Sequence, residues 1–327
     1  MFRYQDLLKE VELFEKHGVE TGSIGDSTLG QATPYIFVGN KEGRCIIVQG
    51  GIHAREHITS LLVVCQAKHL LKHPELLLDG GIYFIPMTNP DGVRLAQEGA
   101  GFIRNKELKK NLLQINGGPD FSLWKANING VDLNTNFDAR WGQGKRNVFF
   151  RAGANYVGKT PNSEKETKNL IRFTKAVKPL ATISYHCKGE IIYWRFFQKD
   201  KDTIWRHYRL ARSISEQTGY ALVSNDGAST GGYKDWCIEH FNIPSFTIEV
   251  GSDKFSHPFP YSEFEKILYQ NDDIPRRLLN TVAREDRIQK RRVLPDEDVR
   301  EGRESERWPS PRCLMPSLRS YPASTGC

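Results

Sequence analysis

The stretch that decides the fold is Cys45–His57, CIIVQGGIHAREH. Its apolar, β-branched run predicts a buried strand that ends at Gly50-Gly51, and apolar residues resume at helical spacing directly after the stretch. The turn between strand and helix holds His53 and Glu56. An imidazole nitrogen and a carboxylate oxygen are both zinc ligands, and a turn at the end of a strand can direct both at one ion. Because His and Glu three residues apart are common, the meaning of this pair depends on residues further along the chain.

Strands and helices are predicted to alternate outward from this stretch. Strands are predicted at 35–39, 45–50, 81–86, 180–185, 191–194 and 245–250, and helices at 3–17, 58–71, 163–177, 205–218, 233–240 and 264–282. The first two strands, joined by the turn 40–43, are predicted to form a hairpin, and residues 95–130 are predicted to be irregular. The alternation predicts a single α/β domain over residues 1–283, with a mixed, mostly parallel twisted sheet and helices on both faces.

The amino-acid composition indicates a globular protein and argues against several other classes of protein. The chain has 327 residues, of which 39% are hydrophobic and 26% charged, as in globular proteins. Its net charge of +7 is scattered along the chain, so we expect no nucleic-acid partner. No segment reaches the roughly 20 apolar residues of a membrane span, and the first 14 residues lack the apolar core of a signal peptide. The six cysteines form no C-x-x-C pair, which predicts reduced thiols and a cytosolic location.

The last part of the chain differs in composition. Residues 284–327 are rich in Arg, Glu, Pro and Ser and contain few periodic apolar residues. Charge of both signs with little apolar surface to bury predicts a tail that is disordered or loosely packed. A tail that binds a partner is the functional alternative.

Four further features of the sequence indicate that His53 and Glu56 belong to a metal site. His186 follows the apolar strand ATISY, and ligands collect at the carboxyl ends of strands in α/β sheets. A short H-x-x-E pair plus a distant His supplies three ligands and leaves a fourth position open, as catalytic zinc requires. Glu249 lies within the apolar run FTIEV, where burial raises a carboxyl pKa towards the range of a general base.

The remaining two features are polar residues between these motifs. Asp132, in GVDLNTNF, is a candidate to fix the tautomer of a ligand histidine. The basic residues Arg55 and Lys125 are candidates to polarise a carbonyl or to hold a carboxylate.

In their order along the chain, GGIHAREHITS, TNPDG, GVDLNTNF, the strand into His186 and DWCIEHFNIPSFTIEVG resemble the zinc carboxypeptidase family, typified by pancreatic carboxypeptidase A. The resemblance spans roughly residues 20–280. It implies a zinc metallopeptidase with one Zn²⁺ per chain and a peptide substrate. The zinc ligands that it implies are His53, Glu56 and His186, with Glu249 as the base that activates water.

The same resemblance assigns roles to further residues. It implies that Arg55 and Asn134 hold carboxylate and carbonyl groups of the substrate, and that Asp132 supports His53. Lys125, in LWK, stands where the family carries an arginine that polarises the scissile carbonyl.

Three features of the sequence bear on the substrate. Thr135 replaces an arginine that clamps the C-terminal carboxylate in true carboxypeptidases, and threonine cannot make a charge-assisted fork. Residues 224–230 also lack the mobile tyrosine of carboxypeptidase A. Lys234 falls where the family sets the charge preference of the pocket beyond the scissile bond, and a lysine there favours a carboxylate.

This combination is similar to the bacterial γ-D-glutamyl–diaminopimelate peptidases, which cut cell-wall peptides. Diaminopimelate has a carboxylate at each end, so one of them can meet Lys234 while the amide is cut. The resemblance therefore implies a muropeptide substrate.

Three other functions compete with this interpretation. They are a metallocarboxypeptidase of broader specificity, an amidohydrolase acting on N-acyl amino acids, and a silent module that binds cell-wall peptide. Three metal ligands together with Glu249 argue against a silent module. The sequence leaves endopeptidase action and terminal trimming both open, and it predicts no oligomeric state.

Overall fold

Strands and helices alternate along most of the chain in the structure, a computed structural model that describes residues 1–41, 43–77, 79–224 and 229–293. The strands are β1 (Glu20–Asp26), β2 (Ala32–Gly39), β3 (Cys45–Gln49), β4 (Gly81–Ile85), β5 (Thr182–His186), β6 (Ile191–Tyr193), β7 (Ala221–Val223) and β8 (Ser245–Glu249). The α-helices are α1 (Tyr4–Lys16), α2 (Ile58–Lys72), α3 (Pro90–Glu98), α4 (Lys106–Asn116), α5 (Lys165–Val177), α6 (Lys201–Thr218), α7 (Tyr233–Phe241), α8 (Phe264–Asn271) and α9 (Ile274–Val293).

These strands form one sheet in the order β1-β2-β4-β3-β5-β8-β6-β7. The central strands are parallel, because β3 pairs in parallel with β4 and β5, and β5 pairs in parallel with β8. The pairs of β1 with β2, of β2 with β4 and of β6 with β8 are antiparallel. The predicted α/β fold with one mixed, mostly parallel sheet is confirmed.

Helices cover both faces of this sheet. Successive side chains of a strand point to opposite faces. On β3, Ile46 and Val48 therefore pack in a core with Leu62 of α2, whereas Ile47 packs in a second core with Leu170 of α5. A central strand that is buried on both faces explains why its sequence is continuously apolar.

The prediction that strands 35–39 and 45–50 form a hairpin is wrong. The strand β4 lies between β2 and β3, so that Tyr83 pairs with Phe37 on one side and with Ile47 on the other. The turn residues that suggested a hairpin only show where β2 ends, because the partner of β2 comes some 40 residues later in the chain. The other neighbour of β2 is β1, whose sequence ETGSIGD has few strand-forming residues and gave no signal.

Part of the region predicted to be irregular is helical. Helix α4 begins after Asn105, whose side chain accepts a hydrogen bond from the backbone N–H of Leu108. It ends at Gly117 in the left-handed conformation. Both capping residues were visible in the sequence, but the surrounding polar residues obscured the helical spacing.

Residue 283, after which the domain is predicted to end, falls within α9. Three side chains beyond that boundary form ion pairs with the rest of the domain: Glu285 with Arg206 and Arg209, Asp286 with Arg44, and Arg287 with Asp79. The helix predicted at 264–282 is instead divided between α8 and α9. Residues 294–327 lie outside the described residues, so the tail remains a prediction there.

None of the helices in the described ranges is both long and apolar enough to cross a bilayer. The four cysteines in the same ranges, Cys45, Cys65, Cys187 and Cys237, form no disulfide.

Candidate metal centre and active site

The predicted metal ligands meet at one edge of the sheet. The parallel strands β3, β5 and β8 lie side by side, so their carboxyl ends share that edge. His53 and Glu56 follow β3, while His186 and Glu249 are the last residues of β5 and β8. His186 and Glu249 are direct partners in the parallel register, which places them next to each other.

A tight turn holds the first two of these side chains. Gly51 has φ +60°, and a Cβ there would lie 2.5 Å from Ser60 Oγ, so glycine is required. The hydroxyl of Thr59 donates to Glu56 O (2.8 Å) and accepts from the N–H of Gly51 (2.9 Å). Helix α2 therefore fixes the turn from which Glu56 projects.

His53, Glu56 and His186 converge on one point. The Nδ1 atom of His53 lies 2.9 Å from Glu56 Oε1 and 3.0 Å from Nδ1 of His186. The Nδ1 atom of His186 lies 3.1 Å from Glu56 Oε2. The three residues are only 4%, 3% and 1% exposed, respectively. Among the described residues, they are the group of potential ligands whose donor atoms lie within 4.8 Å of one another.

This donor set fits a zinc ion. The other nitrogen of His53, Nε2, faces Asp132, so Nδ1 presents a lone pair to the centre of the group. Burial opposes ionisation of Glu56, but His53 and His186 hold the pKa of Glu56 well below its usual value. Tetrahedral zinc with bonds of about 2.0–2.1 Å has ligand atoms about 3.3 Å apart, close to the separations seen here. Two neutral imidazoles and a carboxylate are a donor set that zinc accepts.

Asp132 is fully buried behind His53 and accepts four contacts. Its Oδ1 lies 3.1 Å from His53 Nε2 and accepts from the N–H of Asn134 at 3.1 Å. Its Oδ2 lies 2.8 Å from Lys125 Nζ and accepts from the N–H of Asn155 at 3.1 Å. Burial raises the pKa of Asp132, but Lys125 and His53 outweigh that effect and hold it below its usual range. An ionised carboxylate at this position fixes the tautomer and the orientation of His53.

Glu249 stands beside the metal ligands, with its side chain partly exposed. Desolvation raises the pKa of Glu249 to about 7, since the attraction of His186 is offset in part by the repulsion of Glu56. A carboxylate with a pKa near neutrality is suited to accept and return a proton. Within the described part of the chain, no hydrogen bond holds the carboxylate of Glu249 away from the site.

The two predicted cations, Lys125 and Arg55, both contact residues next to the metal ligands. Lys125 is 18% exposed and pairs with Asp132, an arrangement that occupies one of its three N–H donors. The backbone of Lys125 is tied to the metal turn, because its carbonyl accepts from the N–H of Ala54 at 3.1 Å. Arg55 donates through Nη1 to Leu123 O at 3.4 Å, a weak contact that leaves most N–H donors of the guanidinium without a partner among the described residues.

The side chains of Thr135 and Lys234 are both engaged with neighbouring protein groups. The hydroxyl of Thr135 is buried and donates to Asp132 O at 2.9 Å, so it serves the backbone. Lys234 is 7% exposed, forms an ion pair with Asp235 (2.5 Å) and donates to Arg195 O (2.9 Å). Asn134 lies between them, where its side-chain oxygen accepts from the N–H of Tyr233 at the start of α7.

One histidine near the site was not predicted. His257 lies on the loop after β8, and the charges of Glu56, Arg55 and Lys188 all act on its ring. Its Nδ1 is buried without a hydrogen-bond partner among the described residues. Desolvation lowers the pKa of His257 to about 4, so the ring is neutral at pH 7. Its sequence context, SHPFP, carries no signal of a site.

A family model described as zinc carboxypeptidase matches residues 4–271 of the chain. The chain belongs to the zinc carboxypeptidase family. The match covers every strand of the sheet as well as all three predicted metal ligands, and the family's zinc accords with the donor set found here.

Similar proteins occur in bacteria and in animals. The chain is 33% identical over 258 residues to gamma-D-glutamyl-L-diamino acid endopeptidase 1 of Lysinibacillus sphaericus, an alignment that covers 75% of this chain and 63% of that protein. It is 28% identical over 231 residues to carboxypeptidase A2 of Rattus norvegicus, covering 64% of this chain and 52% of the relative. The chain thus spans less than two thirds of the length of both relatives.

Comparison with solved structures supports the fold. Bovine thrombin-activatable fibrinolysis inhibitor, solved in complex with tick carboxypeptidase inhibitor, superposes with a TM-score of 0.72 at 20% identity. The superposition covers 86% of this chain and 97% of the other. At this identity the likeness supports the fold alone.

Proposed function

We propose that this chain is a zinc peptidase that hydrolyses the amide bond between γ-D-glutamate and diaminopimelate in bacterial cell-wall peptides. The observation that carries the proposal is the buried group His53, Glu56 and His186 with Glu249 beside it at one edge of the sheet. The relative from Lysinibacillus sphaericus, named for action on a γ-D-glutamyl-L-diamino acid bond, supports the substrate class.

In this proposal His53, Glu56 and His186 hold the zinc ion. Bound zinc supplies Lewis-acid chemistry, which polarises a carbonyl and lowers the pKa of water to about 7. Glu249 accepts the proton of the attacking water through its carboxylate. It then returns that proton to the leaving amine, so the same side chain acts first as base and then as acid.

The charged residues around the metal ligands have separate roles in the proposal. Asp132 orients His53, and Lys125 keeps Asp132 ionised through the ion pair at 2.8 Å. The remaining N–H donors of Lys125 can turn towards a carbonyl oxygen that gains negative charge, a stabilisation worth several kcal/mol when the donor is held in place. Arg55, whose guanidinium is only weakly engaged, is placed to hold a substrate carbonyl or carboxylate.

The choice of substrate depends on two positions, one without a positive charge (Thr135) and one with a positive charge (Lys234). Thr135 provides no cation for a C-terminal carboxylate, and its hydroxyl is engaged with the backbone. Lys234 uses two of its N–H donors on Asp235 and Arg195, so its third donor can meet a side-chain carboxylate of the leaving residue. Diaminopimelate has that carboxylate and lysine does not.

Three peptides incubated side by side test the proposal: L-Ala-γ-D-Glu-diaminopimelate, L-Ala-γ-D-Glu-lysine and a hippuryl dipeptide, with products identified by mass spectrometry. We expect cleavage of the γ-D-Glu–diaminopimelate bond to be the fastest by at least about tenfold, the effect of one charge-assisted contact. Lys234→Met keeps the apolar stem, and should reduce the difference between diaminopimelate and lysine.

Two results would contradict the proposal. Faster hydrolysis of the hippuryl dipeptide would indicate a general carboxypeptidase. Equal rates on the two γ-D-glutamyl peptides would remove Lys234 from the recognition of substrate.

A further inference from the structure

Two consecutive phenylalanines lie on the surface of the chain. Phe149 and Phe150 are 65% and 69% exposed, whereas none of the other phenylalanines in the described ranges is more than 39% exposed. Single exposed apolar side chains are common in soluble proteins, but adjacent exposed rings are typical of a surface that binds a partner. The proposed hydrolysis uses neither ring, so this pair has no role in the site described above.

The segment around the two rings carries charge of one sign. Residues 139–163 contain no aspartate or glutamate and five basic residues, Arg140, Lys145, Arg146, Arg151 and Lys159. Arg140 is engaged within the protein, because it lies 3.6 Å over the ring of Phe197 and pairs with Glu239. Lys145 and Arg151 are exposed and form no ion pair among the described residues. These two cations flank the phenylalanines in sequence, one on each side.

Backbone hydrogen bonds hold the exposed rings in a defined position. The N–H of Val148 donates to Asn155 O at 3.0 Å, and the N–H of Ala152 donates to Gly130 O at 3.2 Å. The chain is therefore anchored on both sides of residues 149–151, whose three side chains are all exposed. A surface that is ordered before it binds loses less conformational freedom on binding.

The turn that carries Lys145 lies beside these rings. A Cβ placed on Gly142 would lie 3.5 Å from the ring of Phe149, so the ring is next to the start of this turn. Lys145 occupies a central position of the turn, which the N–H of Asn147 closes by donating to Gly144 O at 3.1 Å. The apolar pair and the positive charge therefore belong to one continuous surface.

We infer that Phe149 and Phe150 insert into the surface of a membrane rich in anionic phospholipid, with Lys145 and Arg151 at the level of the headgroups. Phenyl rings have no hydrogen-bonding group, so they enter the boundary between headgroups and acyl chains without burying an unpaired polar atom. Basic side chains beside them are attracted to the lipid phosphates. Docking of this kind needs no membrane span, and the inference does not depend on the proposed substrate.

Docking through this surface would hold the metal centre near the membrane. The N–H of Asn155, whose carbonyl accepts from Val148, donates to Asp132 Oδ2 at 3.1 Å. Asp132 in turn contacts the metal ligand His53. A short series of hydrogen bonds thus connects the docking surface to the metal centre.

Co-flotation of the full chain with lipid vesicles tests the inference. One set of vesicles contains phosphatidylcholine alone, and the other contains equal parts of phosphatidylglycerol and phosphatidylcholine. We expect binding to the second set only, and weaker binding at high salt because exposed charges are screened. The double variant Phe149→Ser, Phe150→Ser should bind about a hundredfold more weakly, since burial of each ring is worth about tenfold or more. Lys145→Gln and Arg151→Gln should each weaken binding about fivefold.

Two matched variants serve as controls. Tyr269→Ser removes an aromatic ring that is 90% exposed on α8, and Lys201→Gln removes an exposed charge at the start of α6. Both should change vesicle binding by less than about twofold, because neither residue belongs to the docking surface. Urea unfolding should show near-wild-type stability for all these variants, since the altered side chains are exposed.

Several results would overturn the inference. One is a wild-type chain that binds neither set of vesicles, or binds both equally. Another is a double variant that binds the anionic vesicles as well as the wild type does. Self-association of the wild type in sedimentation, lost in the double variant and without vesicle binding, would show instead that the two rings form a contact between copies of the chain.

Discussion

Replacement of Asp132 by asparagine tests the contacts that hold His53 in the metal centre. An asparagine has the same shape but only one accepting oxygen. Each carboxylate oxygen of Asp132 accepts two contacts, Oδ1 from His53 and Asn134 and Oδ2 from Lys125 and Asn155. Whichever way the amide is oriented, two donors lose their acceptor. The amide should keep its oxygen towards His53, because Lys125 is 18% exposed and can turn to water.

The expected loss of stability follows from these contacts. A buried N–H left without an acceptor costs about 1–3 kcal/mol, and the lost ion pair to Lys125 adds about 1–2 kcal/mol because that side chain is partly solvated. We therefore expect Asp132→Asn to lower the free energy of unfolding by about 3 kcal/mol. His53 also loses a charged acceptor, which should weaken zinc binding about ten- to a hundredfold.

Two assays separate these effects. Urea unfolding of the metal-free proteins measures stability without the contribution of bound zinc. Competition with a zinc chelator measures affinity in the folded state. Glu216→Gln is the control, because its ion pair with Arg212 has the same 2.8 Å distance but is more than 60% exposed on both sides, and should change stability by less than about 1 kcal/mol. If Asp132→Asn matched this control in stability and kept wild-type zinc affinity, the role assigned to Asp132 would be wrong.

Three further predictions concern the base, the pH dependence and the C-terminal helix. Glu249→Gln should lower kcat at least about a hundredfold with zinc content unchanged, and near-normal turnover would remove Glu249 from the mechanism. Because the pKa of Glu249 is raised to about 7, the side chain is protonated in acid, and kcat/KM should fall as the pH decreases through that pKa, which bound zinc shifts downward. A kcat/KM that rises as the pH decreases through this range would contradict the prediction. A chain ending at residue 283 should be less stable to urea than one ending at 293 by about 2 kcal/mol, because it lacks the ion pairs of Glu285, Asp286 and Arg287; equal stability would show that these pairs contribute nothing.

The residues that meet at the metal centre could be predicted because each follows a strand with a clear apolar signal. His53, His186 and Glu249 come at the ends of such strands, and parallel strands bring their carboxyl ends to one edge. The order of the strands could not be predicted, because the pairing of β2 with β4 depends on packing between segments far apart in sequence.

The electrostatic surroundings of individual side chains could likewise not be predicted from the sequence. The sequence predicts Lys234 as a contact for a substrate carboxylate. Its pairing with Asp235 and with the carbonyl of Arg195 could not be predicted, because it depends on how α7 lies against the loop after β6. The effect of the charges of Glu56 and Arg55 on His257 likewise depends on the folded position of the loop after β8. Neither arrangement leaves a periodic or compositional trace.

We propose that one zinc ion held by His53, Glu56 and His186 makes this protein a γ-D-glutamyl–diaminopimelate peptidase. A zinc titration of the chelator-treated protein tests this, with hydrolysis of L-Ala-γ-D-Glu-diaminopimelate as the signal and His186→Ala in parallel. We predict that activity rises linearly to one zinc per chain and then stays constant, and that His186→Ala gains almost none, because two protein ligands hold zinc poorly. Activity that persists in the metal-free protein, or equal activation of His186→Ala by one zinc per chain, would contradict the claim.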